Sequence, residues 1–73
     1  MDEYGMYEVH AIRIENDTRV TEQYKPESEV DAFALARAFS RMREYAWVEV
    51  YYMGGEAPQR IRVFVKGHSV LKV

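Results

Sequence analysis

The stretch 46–66, AWVEVYYMGGEAPQRIRVFVK, constrains this chain most, because both faces of the hairpin it spells carry a message. Side chains along a strand point alternately to opposite faces. That period groups Val48, Val50 and Tyr52 with Ile61, Val63 and Val65 as a core. It places Trp47, Glu49 and Tyr51 with Arg60, Arg62, Phe64 and Lys66 on a second, aromatic and basic surface. GGEAP at 54–58 is the turn between the two strands.

The rest of the chain builds around this hairpin. Residues 4–14 read as a first strand with Tyr7, Val9 and Ala11 on one face and Met6, His10, Ile12 and Ile14 on the other. Either a bulge shifts its register or it is a central strand, half buried on both sides. Glu15-Asn16-Asp17-Thr18 reads as a hairpin loop, since Asn and Asp tolerate turn conformations. Residues 19–25, RVTEQYK, then form a polar strand suited to a sheet edge, where charge discourages unwanted pairing.

A helix is expected from Ser28 to about Tyr45. The Ser28 hydroxyl can cap the N–H of Asp31, with Asp31 reaching back as a shortened capping box. Glu29 and Asp31 suit the positive end of the helix dipole. Leu35, Phe39 and Met42 form an apolar stripe flanked by Ala32, Ala38 and Ala46, small enough to let the helix lie close to a sheet. Arg37, Ser40, Arg41 and Glu44 lie opposite, with Val30 and Phe33 among them. Those two either tuck under the connection at 25–27 or form an exposed apolar spot ringed by arginines, a composition common at protein contacts. At the end, 66–68 reads as a turn and 69–73 as a short fifth strand or a free tail.

Two hairpins around one helix imply a ββαββ order. The expected architecture is an α+β two-layer sandwich, one helix on one face of a mainly antiparallel four-stranded sheet. Seventy-three residues make a single domain with a thin core, burying about 60% of the unfolded chain's surface. Without cysteine there is no disulfide framework, so self-association is one source of extra support. The helix leaves the second sheet face open; an indole at residue 47 found beneath the helix would overturn this layout.

Catalytic constellations are thin. His10 and His68 are far apart, and neither has a nucleophile at a suggestive spacing. Two histidines without cysteine make a poor zinc site, and no spacing recruits carboxylates to it. Gly54-Gly55 lacks the following helix and GK[ST] of a phosphate loop. No catalytic residue, metal or cofactor is expected. No apolar run is long enough to span a membrane, and MDEYGMYEV lacks a signal-peptide core, so the protein is expected to stay in the cytosol.

What remains is binding. Interfaces are enriched in Trp, Tyr, Phe, Met and Arg, and this chain holds one Trp, six Tyr, three Phe and four Met. The open face then takes a protein partner, or a second copy of the chain as a homodimer with face-to-face sheets. Sheets that bind single-stranded nucleic acid use similar residues, stacking bases on aromatics beside cations. Against that stand a net charge of −2, Glu49 among the aromatics, and no RNP-like motif. As a further alternative, the aromatics shield one another under arginine stems and bind nothing.

The segment 29–64, EVDAFALARAFSRMREYAWVEVYYMGGEAPQRIRVF, joins an alanine-rich helix directly to a V-E-V-Y strand, a Gly turn and a second short strand. In this it resembles small proteins encoded by bacteriophages and actinobacteria and, in outline, compact phage anti-defence inhibitors, including anti-CRISPR proteins. The likeness covers about half the chain and carries no shared site residues. It implies a cytosolic accessory protein that binds and occludes a host macromolecule. The expected anchors, read from the residues, are Trp47, Tyr51, Arg60, Arg62, Phe64 and Lys66 on the sheet, or Phe33, Arg37 and Arg41 on the helix.

Overall fold

The computed structural model describes residues 6–72, with side chains described as far as 70. β1 (Tyr7–Glu15) and β2 (Thr18–Tyr24) form a hairpin. α1 (Glu29–Ser40) follows, then β3 (Trp47–Tyr52), β4 (Gln59–Val65) and β5 (His68–Lys72). The sheet order is β2-β1-β3-β4-β5, every neighbouring pair antiparallel. The fold is the expected α+β sandwich with the fifth strand present. Tyr4, expected in the first strand, and Val73, expected in the fifth, lie outside the described residues.

Both tight turns use left-handed backbone. Asn16 and Asp17 have φ of 53° and 64°, and Lys66 and Gly67 have 52° and 85°. Two-residue hairpin turns with positive φ match the right-handed twist of the strands they join. The first turn was legible because Asn and Asp tolerate that region.

β1 keeps an unbroken register from Val9↔Tyr24 to Glu15↔Thr18 on one side and Tyr7↔Tyr52 to Ile12↔Trp47 on the other. Its double apolar pattern therefore comes from an interior position, not from a bulge. Val9 and Ala11 are fully buried beneath the helix, while Ile12 is buried on the opposite face at 2% exposure.

The helix starts as read: Ser28 is the N-cap, its Oγ accepting the Asp31 N–H at 3.1 Å. Among the described residues the reciprocal bond from the Asp31 carboxylate is not made. The row packed on the sheet is Ala32, Ala36 and Ser40, with Phe33, Leu35 and Phe39 half buried on its flanks. Met42 and Val30 are exposed at 43% and 77%, and Ala38 and Ala46 are exposed too. Of the alanines expected against the sheet, Ala32 is buried there, with Ala36 and Ser40 completing the row in place of Ala38 and Ala46.

α1 also ends at Ser40 rather than near Tyr45. Beyond it the chain tightens into i→i−3 bonds, with the Met42 N–H donating to the Phe39 carbonyl at 2.9 Å and the Tyr45 N–H to that of Met42 at 3.2 Å. The Ser40 hydroxyl donates to the Arg37 carbonyl at 2.8 Å and accepts the Gly67 N–H at 2.8 Å. The Ala46 N–H then reaches the Ile12 carbonyl at 2.8 Å, setting β3 beside β1. A 12-residue helix spans about 18 Å, close to the roughly 20 Å of the six-residue β3.

The largest departure is the facing of β4. Phe64 stands opposite Val48 and Arg62 opposite Val50, so both lie on the helix side; Val63 stands opposite Glu49, on the open side. A break in register between Val50 and Tyr51 leaves Ile61 unmatched and returns Arg60 to the side of Tyr51. A second break leaves Val70 of β5 unmatched. A slip of one residue exchanges every side chain between faces. Alternation in IRVFV sets Ile61, Val63 and Val65 against Arg62 and Phe64 and so favours the first set as core, but burial of the large Phe64 ring under α1 decides the facing the other way. Phe64, at 2% exposure, is the largest fully buried side chain and sits under α1 with its ring 6.2 Å from that of Phe33.

Candidate functional site

The open face centres on a carboxylate. Glu49 is only 7% exposed although, among the described residues, no helix covers this side of the sheet. Its neighbours on β3 share its face by strand alternation and both donate to it. The Trp47 indole N–H reaches Oε2 at 2.9 Å, and the Tyr51 hydroxyl reaches Oε1 at 2.9 Å. Arg60, brought across by the β4 bulge, donates to Oε2 at 3.4 Å. A buried carboxylate is tolerated only when such bonds replace its water.

Side chains from β1 and β2 extend this network. His10, opposite Glu49 in the ladder, lies with its ring 4.5 Å from that of Tyr51 and its Nε2 2.9 Å from Glu8 Oε1. Ile12 lies opposite Trp47, and the Arg19 guanidinium stands 5.1 Å from the centre of the indole. Burial, then the hydrogen bond to Glu49 and its charge, push the Tyr51 phenol above its ordinary pKa. The phenol thus stays a donor through the neutral range. Beside this cluster is a shallow depression of about 400 Å³ lined by Trp47, Glu49, Arg19 and Arg60, with Val63, Val65 and Val70 supplying its apolar part.

The expected anchors divide among three places. Trp47, Tyr51 and Arg60 come together on the open face as read, with the indole turned away from the helix. Arg62 and Phe64 do not join them. They lie on the helix side, where the Arg62 guanidinium is 5.3 Å from the Phe33 ring centre and that of Arg37 is 5.6 Å from the Phe64 ring centre. Phe33 is thus half buried against Phe64 and Arg62 rather than tucked under the connection at 25–27 or left as a bare apolar spot. Arg41 and Lys66 are exposed and line a second depression past the end of α1.

Ile12 lies on the face with His10 as read, but sequence reading missed Arg19, Val63, Val65 and Val70 as open-face residues. Arg19 joins through the β2-β1-β3 order, Val63 and Val65 through register, and Val70 through a bulge. Glu49 was visible between Trp47 and Tyr51, but counted as a charge among aromatics rather than as the acceptor that orients them. A carboxylate at i with donors at i±2 on one strand face is the signal that would have found it. Among the described residues no group of three or more His, Cys, Asp or Glu is placed to hold a metal ion. No helix among them is long and apolar enough to cross a membrane. Comparison with protein-family models, curated proteins and solved structures finds no match to the chain.

Proposed function

We propose that this protein is a non-enzymatic protein-binding module whose contact surface is the open sheet face around Trp47, Tyr51, Arg19 and Arg60. One observation carries the reading: a nearly buried carboxylate, Glu49, holds an indole, a phenol and a guanidinium in fixed positions on a face that no helix covers. Trp, Tyr and Arg are the residues that most often dominate interface energetics. Fixing them in advance reduces the entropy lost on association. The valine-lined depression beside them fits an apolar side chain, with Arg19 and Arg60 at its polar margin. In the narrower form of this proposal the module is a phage accessory inhibitor that occludes a host protein; that form rests on the sequence resemblance.

The test is affinity capture from lysate of the cell that makes the protein, using immobilised wild type, Trp47→Ala and Arg60→Ala, with Val30→Ser as a control. The expected result is a protein retained by wild type and the control and lost from both open-face variants. Retention by all four sinks the reading. Binding of an oligonucleotide with a steep salt dependence assigns the face to nucleic acid instead. A mass that doubles with concentration in wild type but not in Trp47→Ala assigns it to a second copy of the chain.

A further inference from the structure

We propose that the end of the molecule where α1 meets the β4–β5 turn binds an acidic peptide segment bearing an apolar side chain. A depression of about 280 Å³ lies there, lined by Ser40, Arg41, Met42, Arg43, Tyr45 and Lys66. Three of the six are cations, drawn from two separate parts of the chain. Among the described residues none of the three is in an ion pair with a carboxylate. The remaining described arginines are otherwise engaged. Arg13 and Arg60 pair with glutamates, and Arg19, Arg37 and Arg62 lie over aromatic rings.

The helix dipole favours cations at a helix C-terminus by about 0.3–1 kcal/mol each, which accounts for the sign of charge at Arg41 and Arg43. It does not account for Lys66. That residue holds φ of 52°, where asparagine or glycine sits with less strain, as Asn16 does in the other hairpin. A lysine there costs the turn something and makes no ion pair in return.

The turn is also fastened in place. The Gly67 N–H donates to Ser40 Oγ, which itself donates to the Arg37 carbonyl, so the turn is tied to the last turn of α1. Arg41 lies so near Gly67 that a Cβ there would come within 2.8 Å of its Nε. The cations are thus carried on a braced backbone. Met42, 43% exposed among them, offers an apolar and adaptable contact.

Carboxylates answer the three charges and an apolar side chain answers Met42. A nucleic acid answers the charges alone, and the chain's net charge of −2 repels a long polyanion. The cations also form a compact group, while the opposite end of α1 carries Glu27, Glu29 and Asp31, so no basic stripe continues along the molecule. This inference stands apart from the open-face reading, because Trp47 does not line this depression.

The test is a titration of the isotope-labelled protein with the peptide Glu-Glu-Leu-Glu-Glu, an oligothymidylate of equal charge, and inorganic phosphate, followed by amide chemical shifts. The peptide is expected to move the Arg41, Arg43 and Gly67 signals, with affinity falling at least about tenfold between low and moderate salt. Arg43→Gln should weaken binding several-fold, whereas Lys25→Gln should not. The sharpest variant is Lys66→Asn, which suits the left-handed turn and should raise the unfolding midpoint while lowering peptide affinity. Three results would each overturn the inference: no shifts with the peptide, equal loss in Lys25→Gln, or Lys66→Asn binding as wild type does. Tighter binding of the oligothymidylate, or phosphate alone reproducing the shifts, would overturn the peptide assignment.

Discussion

Two glutamates facing opposite sides of the sheet each gather three polar side chains. Glu49 accepts from Trp47, Tyr51 and Arg60, all donors. In Glu49→Gln the amide would turn an NH₂ group towards one of them. Leaving a buried donor unpaired costs about 1–3 kcal/mol, so urea unfolding should show a loss in that range, and wild-type stability would mean the network is not holding the face. Glu22, on the helix side, accepts the Tyr45 hydroxyl at 2.6 Å and that of Tyr24 at 2.9 Å, with Arg13 at 3.1 Å. Those hydroxyls, then the Arg13 charge, hold its carboxyl below the ordinary range. A depressed folded pKa contributes stability that is present above the unfolded value and lost as pH falls through the folded one. The stability gap between wild type and Glu22→Gln should therefore close on going from neutral pH to below the ordinary carboxylate pKa. A gap that holds constant would remove Glu22 from the acid response. Tyr45, pushed up by the same bond to Glu22, acts in the opposite direction: its share is complete below the ordinary tyrosine pKa and lost in strong alkali.

Among the elements, β4 and α1 carry the structural argument. Phe64 fills the space under α1, so Phe64→Ala should cost about 3–5 kcal/mol, as other buried Phe truncations do. Arg60→Ala, on the opposite face of the same strand, should leave the unfolding midpoint nearly unchanged. Equal losses at the two positions would contradict the facing observed for β4. The helix lies on the sheet through Ala32, Ala36 and Ser40. Ala36→Leu should therefore cost about 1–3 kcal/mol through overpacking, read as a lowered urea midpoint. An unchanged midpoint would mean the helix rides higher than its small contact row implies. Ser28 and the Asn16-Asp17 turn were legible because a cap and a two-residue hairpin depend on residues within a few positions of one another. The end of α1 was not. At its stop, Ser40 is tied to the N–H of Gly67, 27 residues away.

For the molecule as a unit, thinness is the governing fact. About 0.05–0.15 kcal/mol per residue over 73 residues gives a total stability of about 4–11 kcal/mol. A single Phe64 truncation removes a large part of it. β3 contributes Val48 and Val50 to the core and Trp47, Glu49 and Tyr51 to the open face, so one strand serves both layers. Unfolding followed by the fluorescence of Trp47, the sole tryptophan, should coincide with unfolding followed by far-ultraviolet circular dichroism. An earlier fluorescence transition would show the open face loosening independently of the core, and would weaken its claim to be a prearranged contact surface.

Consecutive residues suffice to specify a cap, a tight turn, a helix that must bury one side, and a strand whose Trp47, Glu49 and Tyr51 share a face. Each depends on interactions a few ångströms long within one segment. Which face of β4 turns inward, where α1 stops, and which arginines gather around Glu49 depend on register across the sheet and on the helix laid over it. In IRVFV alternation sets three β-branched residues against Arg62 and Phe64 and so points to the wrong side, and the choice falls to the packing that places Phe64 against Phe33 under α1.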